Sequence, residues 1–223
     1  MEISDEYKKQ NAFKYGLKMS SPFADEFLKI AESGVESIEV KAGTTETLEN
    51  DLSKSRLLVV RVREGASFEY IETCSGKANI KNDIHVVLEG AGAKASIIGR
   101  YDMTDDSKLD VYHKVYHEAP GTISRIDARG VLSGRSHLIY RSDIMMEKGM
   151  KDLSGAEDGK FLVLSKEAKV DAIPSLDIAS NSVACSHSLS ITHITPEDLF
   201  YSKTRGIGED DARRLLVEGF LTI

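Results

Sequence analysis

Beyond residue 36 the chain is a succession of short apolar and β-branched runs, with no helix-period stretch between them until its final segment. Ser37–Val40, Leu57–Val62, Phe68–Ile71, Ile84–Leu88 and Ala95–Ile98 follow one another, and small-residue corners such as Glu64-Gly65-Ala66 and Glu89-Gly90-Ala91-Gly92-Ala93 punctuate them. Parallel βαβ units need a crossover helix between strands, so this pattern argues against a doubly wound sheet. A sandwich, a barrel or a parallel β-helix remains. Repeated small corners between short runs favour the β-helix, in which each coil buries its inward residues against its neighbours. The repeat has no countable fixed period. Further strands are predicted at Leu109–His117, Ile123–Val131, His137–Met145, Phe161–Leu164, Val170–Ile178 and from Val183 onward, with corners at Lys148-Gly149 and Glu167-Ala168-Lys169.

Both ends read as helical. Met1 to Gly34 carries two patterned segments divided by Ser20-Ser21-Pro22, a serine cap followed by proline at the first helical position, and Phe23, Phe27, Leu28 and Ile30 form an apolar stripe. At the other end Thr195 is placed to cap a helix that begins at Pro196, with Glu197 and Asp198 in its first turn and a stop at Gly206. A second helix is predicted from about Gly208, with Ala212, Leu215, Leu216 and Phe220 on its apolar side. The expected division is a helical arm over 1–36, a β-helix over 37–194 and a two-helix tail over 195–223.

Composition narrows the function. The 223 residues carry a net charge of −7, which argues against a general nucleic-acid binder, since phosphate neutralisation needs a basic surface. No apolar run approaches the ~20 residues of a membrane-spanning helix. The N-terminus lacks the basic and apolar regions of a signal peptide, and two cysteines, Cys74 and Cys185, do not make a disulfide framework. A cytoplasmic location is the expectation.

The stretch with most chemistry is Cys185-Ser186-His187-Ser188-Leu189-Ser190-Ile191-Thr192-His193. On an extended strand Cys185, His187, Leu189, Ile191 and His193 share one face. A thiol and an imidazole two residues apart are a ligand pair of the kind iron, zinc or copper accepts. The alternative is structural, because cysteine is commonly a small buried hydrophobe. His113 and His117 also share a strand face, a pair that could bind metal, although a solvated polar face is the ordinary reading; His85 and His137 stand singly, and Cys74 reads as structural.

Several segments resemble the SufB/SufD family of iron–sulfur cluster assembly proteins. The resemblance lies in His117-Glu118-Ala119-Pro120-Gly121-Thr122-Ile123-Ser124, Gly130-Val131-Leu132-Ser133-Gly134-Arg135, Leu162 through Ile178, Cys185-Ser186-His187 and Leu199 through Ile207, covering about half the chain in the family's order. It implies a right-handed parallel β-helix that pairs with a SufB-like subunit, or with itself, near its C-terminal end and works with a SufC-like ATPase. It implies a scaffold without turnover of its own, on which an iron–sulfur cluster is held transiently, with no tightly bound cofactor. The histidine of the family's Cys-[Ser/Thr]-His motif corresponds to His187, a candidate cluster ligand at the subunit seam, with Cys185 as a possible co-ligand. The cysteine that accepts sulfur in SufB would fall near Gly159, and the glutamine often found just before it corresponds to Glu157. Ser188 stands where SufB has glutamate. These departures make the chain resemble SufD more than SufB. Family members usually continue into further helices beyond the point corresponding to Ile223.

Two other classes compete. Arg205-Gly206-Ile207-Gly208 with Ala212, Leu215 and Leu216 fits a helix-hairpin-helix, whose backbone N–H groups bind DNA phosphate, but Glu209, Asp210 and Asp211 would stand where phosphate approaches. A β-helix carbohydrate-active enzyme needs paired carboxylates in a groove. The cluster Asp102, Asp105, Asp106 and Asp110 reads instead as a solvated loop.

Overall fold

The computed structural model describes residues 35–222. The helical arm expected over 1–36 lies almost wholly outside the described residues. Twelve strands follow: β1 Glu36–Val40, β2 Thr45–Asn50, β3 Arg56–Val62, β4 Ser67–Gly76, β5 Asn79–Leu88, β6 Lys94–Met103, β7 Lys108–His117, β8 Ile123–Leu132, β9 His137–Met146, β10 Leu153–Val163, β11 Lys169–Ile178 and β12 Val183–Thr192. Two helices close the chain, α1 Pro196–Thr204 and α2 Glu209–Thr222.

Odd strands form one six-stranded sheet in the order β1-β3-β5-β7-β9-β11, and even strands form the other in the order β12-β10-β8-β6-β4-β2. Every pairing is parallel. The chain therefore winds as a β-solenoid, each coil giving one strand to each sheet. No period was countable because the coils lengthen along the chain. Glu36 pairs with Leu58, Lys108 with His137 and His137 with Lys169, offsets of 22, 29 and 32 residues.

The corners keep the coils aligned. The backbone N–H groups of Gly43, Gly65, Gly92 and Gly121 each donate to a carbonyl in the next coil's corner, those of Glu64, Ala91, Pro120 and Lys151. All four glycines have positive φ, between 62° and 70°, a region that residues with a Cβ rarely adopt. At Gly90 the constraint is contact: a Cβ there would lie 1.9 Å from the Glu64 nitrogen. These stacked corners are what the sequence displayed as small-residue punctuation.

Between the sheets, inward residues alternate with outward ones, and Leu58, Val60, Ile84, Val86, Leu88, Ile97, Leu109, Val111, Ile126 and Leu138 are fully buried. Each large apolar side chain so buried contributes roughly 1.5–3 kcal/mol relative to exposure. Most outward positions of β5, β7 and β9 are buried too, and several are ionic. Lys81 lies 2.8 Å from Asp83 and 3.3 Å from Asp110, Arg141 pairs with the same Asp110, and Lys114 lies 3.0 Å from Asp143. Asp110 thus corrects the expectation of a solvated acidic loop. Only Asp105 and Asp106 occupy a turn, where Asp106 meets Arg135 at 2.6 Å. The four aspartates do not converge on a groove.

Two strands escaped sequence reading. β2, Thr45–Asn50, carries two glutamates and a single large aliphatic residue, Leu48. The first part of β10, Leu153-Ser154-Gly155-Ala156-Glu157-Asp158-Gly159-Lys160, lies outside the predicted strand at Phe161–Leu164 because its inward positions are leucine, glycine, glutamate and glycine. The tail followed its local chemistry. Thr195 caps α1 in a reciprocal box with Asp198. α2 rests on β8 with Ala212 1% exposed. Leu215, expected on the apolar side, is 50% exposed, and α1 has no buried residue. No helix among the described residues is long and apolar enough to cross a membrane.

Candidate functional site

β12 is the last strand of its sheet, and β11 the last of the other. The final coil therefore stacks on a neighbour on one side only, among the described residues. Its inward side chains show this: Val183, Cys185 and Leu189 are half-buried and Ile191 is 46% exposed, whereas equivalent positions two coils earlier are sealed. Cys185 and His187 share this inward face, about 7 Å apart along the strand.

Cys185 packs against the edge of the core, and its Sγ would lie 3.4 Å from a Cβ placed on Gly155, the residue paired with it. Partial burial pushes its thiol pKa up. His187 is exposed and pairs in register with Glu157 of β10. His193 turns elsewhere, its Nδ1–H donating to the Val163 carbonyl at 2.9 Å. A thiol and an imidazole suit iron by donor type. Two donors leave a ligand set incomplete, and among the described residues no three His, Cys, Asp or Glu side chains are grouped so as to hold a metal ion.

Gly159, where the family resemblance would place a sulfur-accepting cysteine, is closely packed. A Cβ there would sit 2.8 Å from Leu189 Cδ1 and 3.4 Å from both Tyr140 Cε1 and Glu157 Oε1. A cysteine would need Leu189 to move aside.

Behind this end a series of polar side chains occupies inward positions that would otherwise be apolar. Glu72, fully buried on β4, accepts from Asn82 Nδ2 at 2.6 Å and Tyr101 OH at 2.5 Å, and lies 2.7 Å from His113 Nε2. Asn82 and Asn50 both donate to Tyr70 OH, at 3.1 and 2.7 Å. His113 meets Tyr140 edge-on at 5.7 Å, and Tyr140 OH donates to Glu157 Oε1 at 3.1 Å. Glu157 is 3% exposed, and burial raises its carboxyl pKa. His117 lies 2.8 Å from both Thr122 Oγ1 and Ser124 Oγ, and burial depresses its pKa to about 4. His113 and His117 are thus interior groups, which corrects their reading as a solvated face. His85 is buried as well, with a pKa depressed to about 3. Cys74 is buried and its pKa rises to about 11, consistent with a structural thiol. Sequence reading missed this interior series. Its only trace is a set of tyrosines, a glutamate and a histidine at positions whose inward direction depends on a register the sequence does not state.

Comparison with known proteins places the chain. Residues 37–220 match the family described as SUF system FeS cluster assembly, SufBD core domain. The chain belongs to the SufBD family. Its relatives include an iron-sulfur cluster assembly SufBD family protein of Mycobacterium leprae, 29% identical over 163 residues, covering 70% of this chain and 42% of that protein. A protein of the same description from Staphylococcus epidermidis is 26% identical over 160 residues, 72% of this chain and 34% of its own length. A Staphylococcus aureus relative is also 26% identical over 160 residues, with the same shares covered. The chain matches 34–42% of the length of these SufBD relatives.

Proposed function

We propose that this SufBD protein is a scaffold subunit of a SUF-type iron–sulfur cluster assembly complex, with no turnover of its own, working in the cytoplasm. It pairs through the open C-terminal end of its solenoid with a SufB-like subunit or a second copy of itself. His187 and Cys185 supply part of the ligand set for a nascent cluster, which is cargo, and the partner chain supplies the rest. The observation that carries this reading is the β12 edge, unpaired among the described residues, with half-buried Cys185 and exposed His187 on its inward face. An unpaired strand edge is a template for another chain. A two-donor site is one that a cluster can leave.

A SufC-like ATPase is the proposed second partner. Phe200, Tyr201 and Leu215 on the helical tail are 68%, 62% and 50% exposed, an apolar surface suited to a docked protein. The hairpin between α1 and α2 suits nucleic acid poorly, because Lys203 and Arg213 are engaged by Glu209 at 2.9 and 3.1 Å. The test is anaerobic reconstitution of the complex with ferrous iron and sulfide, measuring both per complex. Cluster content should fall several-fold in His187→Ala and less in Cys185→Ala. Unchanged content in His187→Ala rejects the ligand role.

A further inference from the structure

Glu157 is a buried carboxylate with one oxygen anchored and the other unused. Oε1 accepts from Tyr140 OH at 3.1 Å, and Tyr140 is held between His113 and Phe161, with ring centroids 5.7 and 5.1 Å away. Oε2 is buried and no donor lies within hydrogen-bonding distance and angle of it; the Ser142 hydroxyl, likewise without a partner at that range, is the nearby donor that lowers the carboxyl pKa most. A buried acceptor without a donor costs about 1–3 kcal/mol, so it calls for an explanation. Its register partner on the next strand is His187, at the ~4.8 Å spacing of paired strands and on the same inward face.

A metal-bound imidazole coordinates through one nitrogen and donates the N–H of the other, usually to a carboxylate or carbonyl, which fixes its tautomer and ring plane. We propose that Glu157 is the positioning residue for His187: its free Oε2 accepts the N–H of the imidazole and turns the other ring nitrogen toward the open end, where iron is received. The inference rests on the reading of His187 as an iron ligand, and it adds a group from the adjoining coil to that site. Tyr140 makes the arrangement directional, because it holds the carboxylate by the oxygen that His187 does not need.

Two measurements test it. Co²⁺, a spectroscopic stand-in for ferrous iron, is titrated anaerobically into the assembled protein and into His187→Ala, Glu157→Leu and Glu157→Gln. Separately, the tautomer of His187 is read from long-range ¹H–¹⁵N correlations in the metal-free protein. Positioning predicts a single His187 tautomer in the wild type, Co²⁺ affinity 10–100-fold weaker in Glu157→Leu, and partial recovery in Glu157→Gln, whose carbonyl still accepts. If His187→Ala loses Co²⁺ while Glu157→Leu binds as the wild type does, Glu157 has no such role and the ligand reading stands. If His187→Ala binds Co²⁺ unchanged, the ligand reading fails first, and the positioning role with it. Should Glu157→Leu fail to fold, the wild-type tautomer decides: an even mixture of the two overturns the proposal, and a single form together with weaker binding by Glu157→Gln sustains it.

Discussion

The two ends of the solenoid are finished differently. At the N-terminal end β1 and β2 are short, five and six residues, and carry Glu36, Glu39, Glu46 and Glu49. At the C-terminal end β11 and β12 are ten residues each, and β12 has no Asp, Glu, Lys or Arg. Short, charged edge strands discourage pairing, and long uncharged ones invite it. β11 lies between these cases, since it carries Lys169, Asp171 and Asp177 and is interrupted by Pro174, which has no N–H to offer. One strand, β12, is thus left suited to receive another chain, and it is the strand that bears Cys185 and His187.

The interior repeats the contrast. Glu72, deep in the earlier coils, is surrounded by Asn82, Tyr101 and His113, whereas Glu157, one strand from the open end, has a spare oxygen. The largest expected effect comes from breaking the first arrangement. Glu72→Ala strands three buried partners and should cost about 3–5 kcal/mol in a urea titration, whereas Glu157→Ala should cost only about 1 kcal/mol. Equal costs would erase the distinction between sealed coils and open end. Association is the next probe. Ile191→Asp should weaken pairing at least 100-fold by analytical ultracentrifugation, or about 2.7 kcal/mol, while Glu39→Lys on β1 should leave it unchanged.

Acid sharpens the comparison from within. His85 and His117 are held neutral by burial, with pKa values depressed to about 3 and about 4. Between those values and the ~6.5 of an unfolded histidine, the unfolded chain binds more protons. Stability should therefore fall as pH drops from 6.5 toward 4, by up to about 1.4 kcal/mol per pH unit for each histidine. A melting temperature flat across that range, once carboxylate effects are matched in His117→Gln, would contradict their burial. The smallest effect concerns two glycines with similar overlap. A Cβ at Gly130 meets Phe161 Cδ1 at 2.9 Å inside closed coils, and one at Gly159 meets Leu189 Cδ1 at 2.8 Å in the open coil. Gly130→Ala should cost about 1–3 kcal/mol, and Gly159→Ala less than about 1 kcal/mol, because Leu189 has room to swing.

Much of this was legible in the sequence where local chemistry decides. The corner glycines, the strand runs from Leu57 through Leu109, and the Thr195–Pro196 helix start all declare themselves through backbone demands. The β-helix was favoured by its corners rather than by a period, and the lengthening coils explain why no period could be counted. What stayed hidden depends on register. Inward direction is assigned only when one strand is paired with the next, so His113 and His117 looked solvated and Asp110 looked like loop. β10 was half missed because Gly155, Glu157 and Gly159 occupy core positions with residues that rarely mark a strand. At the candidate site, Cys185 and His187 could be placed on one face of one strand from alternation alone. Glu157, known from the sequence only as the counterpart of a family glutamine, joined His187 only once β10 lay beside β12.

Amide hydrogen exchange across the assembled and dissociated states tests most directly whether β12 is the seam. The account predicts that amides of Val183–Thr192 exchange quickly in the isolated chain and become strongly protected on assembly, while those of Glu36–Asn50 are unaffected. Protection that appears at β1 and β2, or none at β12, would contradict it.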